Sequence, residues 1–521
     1  MQQPAARPIR FVHRGAIVEI ARAPTTKSVL YWLREDAHCV GTKEGCNEGD
    51  CGACMVMVGS RDAHAPGGLA LRAVNACLQF VAMLDGKALF TIEDLKRIAS
   101  TGDGGTLHPA QRAMVACHGS QCGFCTPGFT MSLAVCYEQH VASETRPTRQ
   151  LIADTLSGNL CRCTGYRPIL DAGEAMFDAS TADPSSARID RAEVVQLLDR
   201  LVDDPPLLYR APESAMASIG ETGKDAWVTA PRTIDALASL YEAHPDARLV
   251  AGATDVGLWI TKQFRAMPGQ IRVDAIESLK AIEWKGDRLT IGAGASLEAA
   301  WSALVAIAPA LHEMQLRFAS LPLRLAGTMG GNVANGSPIG DSAPILLALD
   351  ATLLLRRGTS QRRVALDDFY TGYMKNRLAP GEFIEAIEVP RPFPDAAIRG
   401  YKLGKRYDCD ISAVCAGLAI RVEGGRVVHA RFAFGGMAVI VKRAAHAEAA
   451  VLDAPWNEAT VQRAIDGLAN DFAAMTDLRA SASYRQKAAA NLLRRFWLET
   501  RGDAPFAADE LSVWPRRALL R

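Results

Sequence analysis

Residues 41–54 read GTKEGCNEGDCGAC, and their three cysteines, Cys46-x4-Cys51-x2-Cys54, have the spacing of a plant-type [2Fe–2S] cluster loop. A fourth thiol follows at Cys77, beyond a polar, glycine-containing stretch (61–68) that lets the chain return to the first three. Such a loop must wrap thiolates tightly around a compact inorganic core that carries negative charge. Gly45, Gly49 and Gly52 stand among the ligands and Gly41 precedes them. They let the backbone curl and turn its amide N–H groups towards the sulfurs. A second set, Cys122-x2-Cys125 and Cys161-x-Cys163, completes eight cysteines, enough for two clusters of four thiolates. Zinc is the competing occupant. Structural zinc sites usually show two knuckles of similar spacing, which the first set lacks. For the second set taken alone zinc stays open, and its place directly after the first set is what favours iron and sulfide. Disulfides would need an oxidising compartment, to which nothing in the chain points.

Working outwards, residues 9–20 alternate as a hairpin turning at His13-Arg14-Gly15, and Thr25 or Thr26 is a candidate cap for a helix bearing Val29, Leu30 and Leu33. The apolar run Met55-Val56-Met57-Val58 reads as a strand leaving the cysteine loop. Two strands, a helix, the ligand loop and further strands predict a small β-grasp domain. From Thr91 to about Asp178 the pattern turns helical, with stripes through Leu95 and Ile98, Met114 and Val115, and Met131, Leu133 and Val135. That predicts a bundle of about four helices. Pro127 suits the first turn of a helix whose positive end faces Cys125, and Gly158 stops another just before Cys161. The five remaining cysteines, Cys39, Cys117, Cys136, Cys409 and Cys415, read as small buried hydrophobes, and His108 and His118 as capping or packing groups. Trp32, Trp259 and Trp301 read as core or interface residues.

The chain has 521 residues, beyond the size at which one core keeps growing, so several domains are expected. A net charge of +1 supplies no global field for nucleic acid or an anionic membrane. No secretory leader is visible, and the apolar stretch from Ala343 to Leu355 is too short to span a bilayer and is broken by Asp350. The expected location is the cytoplasm. The stretch from 181 to 222 reads as a linker rich in Pro, Ser, Asp and Ala that holds one amphipathic helix, Ile189 to Val202. A new α/β region begins around Lys224. In it, a buried strand (Leu249-Val250-Ala251) runs into Gly252-Ala253-Thr254-Asp255, and Thr328-Met329-Gly330-Gly331-Asn332 leads on to Asp341. Small residues at two such turns suit a backbone approaching a pyrophosphate, and equally suit two structural turns. Neither G-x-G-x-x-G nor a Walker A loop is present. Arg356-Arg357 and Arg362-Arg363 read as solvated turns flanking strands. Strands at Val414–Val422 and Val427–Phe434 and helices at Val461–Leu468 and Tyr484–Leu498 predict an α+β terminal region.

The segments KEGCNEGDCGACMV, GSQCGFCTPGF, GNLCRCTGYRPI, LVAGATDVG and TMGGNVANGSPIGDSAP, in this order over residues 8–500, resemble the small, iron–sulfur and flavin subunits of bacterial xanthine dehydrogenases, in the molybdenum hydroxylase family. The resemblance implies a multidomain α+β chain of four domains and one linker. These are a β-grasp, ferredoxin-like 2Fe–2S domain (7–88), a four-helix-bundle 2Fe–2S domain (89–180), a linker (181–222), an α/β FAD-binding domain of the PCMH, or vanillyl-alcohol-oxidase-like, type (223–395), and an α+β domain like the C-terminal domain of CO dehydrogenase flavoproteins (396–510). Two [2Fe–2S] clusters are implied at Cys46, Cys51, Cys54 and Cys77 and at Cys122, Cys125, Cys161 and Cys163. FAD is implied at Leu249, Val250, Ala251, Gly252, Ala253, Thr254, Asp255 and Val256, and at Phe318, Thr328, Met329, Gly330, Gly331, Asn332, Asp341, Ile384 and Lys402. Tyr373 is implied on the nicotinamide side, Gln121 beside the partner's pterin, and the Tyr407–Asp410 segment as a loop controlling access to the flavin. The implied activity is electron transfer from a purine-oxidising molybdenum site to NAD+. Molybdopterin would be held by a large partner subunit, in a heterotetramer of two small and two large subunits. No catalytic acid or base for the hydroxylation is expected on this chain, and neither nucleic acid nor membrane is an expected partner. A related subunit serving an aldehyde, nicotinate or aromatic acyl-CoA enzyme, and a zinc-binding scaffold, are the alternatives.

Overall fold

The computed structural model describes residues 5–99, 107–178, 189–217, 219–220, 225–507 and 510–511. Residues 181–188 and Lys224, parts of the expected linker and of the expected start of the α/β region, lie outside these, as does the side chain of Ile98. The chain divides into two compact units. One comprises residues 1–232, 246–275 and 321–326, the other residues 233–245, 276–320 and 327–521.

The first unit opens with a mixed five-stranded sheet in the order β2-β1-β5-β3-β4, formed by β1 (Ile9–His13), β2 (Ala16–Ile20), β3 (Met55–Arg61), β4 (Leu69–Asn75) and β5 (Ala88–Phe90). Strand β1 runs antiparallel to β2 and parallel to β5, the β-grasp arrangement. The unbroken apolar run of β3 has a simple cause: both faces are covered. Met55 and Met57 pack with Leu69, Leu71 and Phe129 on the side of the helices, while Val56 and Val58 point into a core with Phe11, Leu30 and Val228. The cap expected at Thr25 or Thr26 is Ser28 instead. Its hydroxyl accepts from Tyr31 N–H, and the helix Val29–Tyr31 widens at once into a π-turn, Trp32–Asp36. Both threonines are buried.

Helices Pro109–Ala116, Thr126–Ala142, Arg149–Thr155 and Arg167–Ala175 form the second layer of this unit, after a helix at Ile92–Ala99. His108 caps the first of the four: its ring accepts from Ala110 N–H while Gln111 reaches back to the His108 N–H. A second, four-stranded sheet has the order β6-β7-β9-β8, with β6 (Leu207–Arg210), β7 (Trp227–Ala230), β8 (Arg248–Val250) and β9 (Gly269–Arg272). The described residues of the expected linker thus carry a helix and a strand. Helix Arg191–Val202 buries Val194, Leu198 and Leu201 and is tied by Arg191 to the carbonyls of Pro66, Leu69 and Glu138, and β6 pairs antiparallel with β7. Its Pro- and Asp-rich composition hid a strand of four residues, too short to show a period.

The second unit holds a sheet in the order β10-β11-β16-β12-β13, from β10 (Ile282–Lys285), β11 (Arg288–Gly292), β12 (Thr352–Arg357), β13 (Ser360–Ala365) and β16 (Phe383–Pro390), with a small hairpin of β14 (Tyr370–Gly372) and β15 (Lys375–Asn376). The arginine pairs lie on β12 and β13, not in turns, and are paired with acids: Arg356 with Asp235, Arg357 with Glu242, Arg362 with Glu382 and Arg363 with Glu388. A further antiparallel sheet, β17 (Ala397–Leu403), β18 (Val414–Glu423), β19 (Arg426–Gly435) and β20 (Lys442–Arg443), is backed by helices Glu458–Asp471 and Ala482–Thr500 around Phe432, Phe434, Leu493 and Phe496.

Candidate functional site

The eight cysteines stand in pairs. The Sγ atoms of Cys54 and Cys77 are 3.2 Å apart and both residues are buried. Cys46 and Cys51 face each other in the same loop, where the N–H groups of Asp50 and Cys51 point at Cys46 Sγ (3.4 and 3.3 Å) and that of Cys46 at Cys51 Sγ (3.3 Å). The thiols within each pair are close enough to share a proton. A hydrogen bond from Cys51 pulls Cys46 down to about 5 and pushes Cys51 up, and Cys77 lowers Cys54 while being raised itself. The second set pairs the same way. Cys122, lowered by the Phe124 N–H and then by Cys163, faces Cys163, which it raises. Burial, then Cys161, pushes Cys125 up to about 12. Burial also opposes ionisation of Cys161, but hydrogen bonds from Thr164, Cys163 and Cys125 together outweigh it, with the Thr164 hydroxyl 3.2 Å from its Sγ.

Two thiols and two thiols is the donor set that gives each iron of a two-iron core its own pair. Among the described residues no three His, Cys, Asp or Glu side chains close on one point as ligands of a single ion. The glycines keep the first pocket open. A Cβ on Gly45 would lie 2.7 Å from Cys51 Sγ, and Gly49 has φ +81° with Leu78 Cδ1 only 2.4 Å from where its Cβ would be. Residues and backbone therefore fit a [2Fe–2S] cluster in each pocket.

The pockets differ in exposure and are joined by backbone. Cys122 and Cys163 are exposed, beside exposed Phe124, Leu160 and Tyr166. Cys125 ends a loop at the start of the 17-residue helix Thr126–Ala142, with Pro127 in its first turn as expected, so the positive end of that helix faces the ligand. Leu160 N–H, next to Cys161, donates to the carbonyl of Cys51 at 3.0 Å. Asn159 Nδ2 donates to Gly52 O (3.3 Å), and Ser132 Oγ holds Asn159 Oδ1 at 2.7 Å. The contact requires two bare backbones: a Cβ on Gly52 would sit 2.3 Å from Gly158 O, and one on Gly128 2.1 Å from Gly52 O. Sequence reasoning missed Ser132, Asn159 and Tyr166. Tyr166 has φ +68°, a conformation bulky residues rarely adopt, and its hydroxyl accepts from Cys161 N–H at 3.1 Å. Gln121, the expected pterin neighbour, is exposed.

The expected FAD residues fall in both units, and each set is described by itself. In the first unit, Leu249 and Val250 end β8, and the following loop turns through Ala253 at φ +55° into the helix Val256–Thr261. Gln79 Nε2 donates to Gly252 O at 2.8 Å, Gly257 meets Leu78 so closely that a Cβ would lie 3.0 Å from its carbonyl oxygen, and Lys262 Nζ donates to Cys46 O at 2.6 Å. Burial raises the Asp255 carboxyl above its usual range. Trp259 is not a core residue: Arg248 and Arg265 lie over its ring at 4.6 and 5.1 Å.

In the second unit the Thr328–Asn332 stretch is the start of the helix Met329–Asn335, capped by Thr328 Oγ1 on Gly331 N–H, where a turn was expected. Gly330 is pressed on Ala293, and a Cβ there would come within 2.4 Å of the Ala293 Cβ. Asp341, Lys402 and Ser412 form a buried triangle, with Lys402 Nζ 2.5 Å from Asp341 Oδ2 and 2.8 Å from Ser412 Oγ, and Ser412 Oγ 2.6 Å from Asp341 Oδ1. Sequence reasoning missed Ser412, which follows the suspected access loop. Phe318 packs on buried Trp301 at 5.8 Å, Ile384 is buried in β16, and Tyr373 is 64% exposed. Cys39, Cys136 and Cys415 are buried as expected, whereas Cys117 and Cys409 are half-buried.

Four family models match along the chain: a 2Fe-2S iron-sulfur cluster binding domain (12–81), a [2Fe-2S] binding domain (91–174), the FAD binding domain in molybdopterin dehydrogenase (221–392) and the CO dehydrogenase flavoprotein C-terminal domain (399–500). The chain is 31% identical over 501 residues to the xanthine dehydrogenase/oxidase of Rattus norvegicus, covering 89% of this chain and 36% of that protein. It is 30% identical over 543 residues to the xanthine dehydrogenase of Drosophila subobscura (95% and 39%), and 27% identical over 530 residues to aldehyde oxidase 4 of Cavia porcellus (94% and 39%). It spans less than two-fifths of the length of these relatives. A solved structure of the Cu,Mo-CO dehydrogenase in its cyanide-inactivated form aligns with a TM-score of 0.49 at 28% identity, over 51% of this chain and 94% of that one. Among the described residues no helix is long and apolar enough to cross a membrane.

Proposed function

We propose that this chain, built from two 2Fe-2S binding domains, an FAD binding domain of the molybdopterin dehydrogenase type and a CO dehydrogenase flavoprotein C-terminal domain, is the electron-transfer subunit of a molybdenum hydroxylase. Its finer assignment is xanthine dehydrogenase, in which electrons from hypoxanthine or xanthine, oxidised to urate on a partner subunit, pass to NAD+. When bound, the clusters supply one-electron steps and FAD the exchange between one-electron and two-electron carriers. The chain's own residues hold, space and screen these groups. The observation that carries the proposal is the backbone hydrogen bond from Leu160 to Cys51, which ties a residue of the first four-thiol set to the residue before Cys161 of the second.

The exposed Cys122 and Cys163, ringed by Phe124, Leu160 and Tyr166, form the face for a large molybdopterin-binding partner, with Gln121 at its edge. The opposite end of the route is the loop 249–256, tied to the first pocket by Gln79 and Lys262. The remaining proposed flavin contacts are Phe318, Thr328–Asn332, Asp341, Ile384 and Lys402, with Tyr373 on the nicotinamide side. The proposed assembly is a heterotetramer of two such chains and two large subunits in the cytoplasm.

Iron, sulfide and flavin analysis with electron paramagnetic resonance of the reduced protein tests the subunit assignment. Two distinct [2Fe–2S] signals and one FAD per chain are expected, and zinc without labile sulfide refutes it. The purified complex should reduce NAD+ with xanthine. A turnover confined to aldehydes would favour the second reading, to which the likeness to an aldehyde oxidase points.

A further inference from the structure

We infer that Lys262 is a positioning residue for the first cluster, one whose charge raises that cluster's reduction potential through the carbonyl of Cys46. The inference rests on the assignment of a [2Fe–2S] cluster to Cys46, Cys51, Cys54 and Cys77. Lys262 lies outside both cysteine domains, at the end of the helix Val256–Thr261, where its N–H closes the last turn on Leu258 O. That helix is also fixed beside the fourth ligand by the approach of Gly257 to Leu78, the residue after Cys77. Lys262 Nζ reaches Cys46 O at 2.6 Å and stands 3.7 Å from Glu48.

The charges around the loop set the sign. Its own sequence carries Glu44, Glu48 and Asp50 against Lys43. A tetrathiolate two-iron cluster gains negative charge on reduction, so this acidic loop disfavours the reduced state. Lys43 spends its ammonium elsewhere, on Gly123 O at 3.2 Å. Lys262 returns a positive charge to the ligand loop and polarises the peptide next to Cys46, favouring the reduced state. Because its anchor is the helix that follows the proposed flavin loop, the loop 249–256 and the charge on the first cluster are set together. The side chain is 42% exposed, so its removal leaves no buried gap.

Redox titration followed by electron paramagnetic resonance, on the cluster-loaded full chain, tests this. The first cluster's signal is identified as the one altered by Cys46→Ser. In Lys262→Met its reduction equilibrium should fall by about three- to tenfold, the upper end being about 59 mV for one electron, while the second cluster stays put. Lys262→Arg should restore the equilibrium, Glu48→Gln should shift it the opposite way, and high salt should shrink every shift. A first-cluster signal that does not move in Lys262→Met, or two signals that move together, overturns the inference. Absence of both signals from the unsubstituted chain overturns the electron-transfer assignment and this inference with it.

Discussion

The two cysteine pockets bind the same chemistry in opposite settings. The first closes around buried Cys54 and Cys77, on a loop curled by glycines and braced by Lys262 and Gln79. The second places Cys122 and Cys163 in solvent and buries only the side that faces the first, where Cys161 and Asn159 lie. A cluster enclosed by its own chain is suited to relaying charge between fixed neighbours. One left open on a single side, with apolar side chains around the opening, is suited to meeting a partner. The proposed route, with entry at the second pocket and exit past the first, draws on this contrast.

The largest effect expected from this contrast is loss of a ligand. Cys51→Ser or Cys161→Ser should each remove one paramagnetic signal and cut electron flow from substrate to NAD+ more than about a hundredfold, measured as NADH formation by the complex. If either variant keeps its flow, the pockets are not in series.

A smaller effect separates the braced pocket from the open one by acid. Near the first pocket's sheet, burial alone would raise the Asp274 carboxyl, but Arg272 and Lys87, at 2.8 and 2.6 Å, hold it well below the usual range. A carboxyl lowered in the folded state stabilises above its unfolded value and loses that contribution as pH falls through and below about 4. Asp274→Asn should cost about 3 kcal/mol at neutral pH and flatten the fall in stability between pH ~5 and ~3, read by urea unfolding followed by circular dichroism.

Next comes the seam between the pockets. Gly128→Ala places a Cβ on Gly52 O and should cost about 1–3 kcal/mol, with slower transfer between clusters in stopped-flow reduction. Gly86→Ala meets nothing within 4 Å, and its cost should be confined to the strain of φ +74°. Equal effects of the two would show that the close approach of Gly128 to Gly52 is incidental.

The smallest expected difference is in thiol access. In cluster-free protein, Cys122 and Cys163 should be alkylated at least about tenfold faster than Cys54 and Cys77, read by mass spectrometry of the labelled peptides. Similar rates would erase the distinction between a relay pocket and an entry pocket.

Much of this was legible from residue types. The cysteine intervals, the glycines among them, Pro127 after Cys125 and the capping role of His108 are local features, and local features carry their own geometry. What failed was also local. Thr25 and Thr26 were reasonable caps, but the cap is whichever hydroxyl meets a free amide, and that is Ser28, two residues beyond Thr26. The strand β6 was hidden because four residues carry no readable period. Trp259 was read as a core or interface residue, and the two arginines over its ring, Arg248 and Arg265, were not foreseen because they are 11 and 6 residues away in sequence.

By itself the sequence determined that there would be two sets of four cysteines, a β-grasp element followed by a helical one, and a glycine-containing loop after a short strand, of which only Val250 proved buried. Spacing along the chain encodes each of these. Only the tertiary structure decided that Cys51 and Leu160 share a hydrogen bond, that Gly52 and Gly128 must lack side chains because backbone meets backbone, that Ser412 completes the Lys402–Asp341 pair, and that Lys262 reaches Cys46. Those contacts join residues tens to hundreds of positions apart. Their energies depend on burial and on distances of about 3 Å, which no interval in the chain expresses.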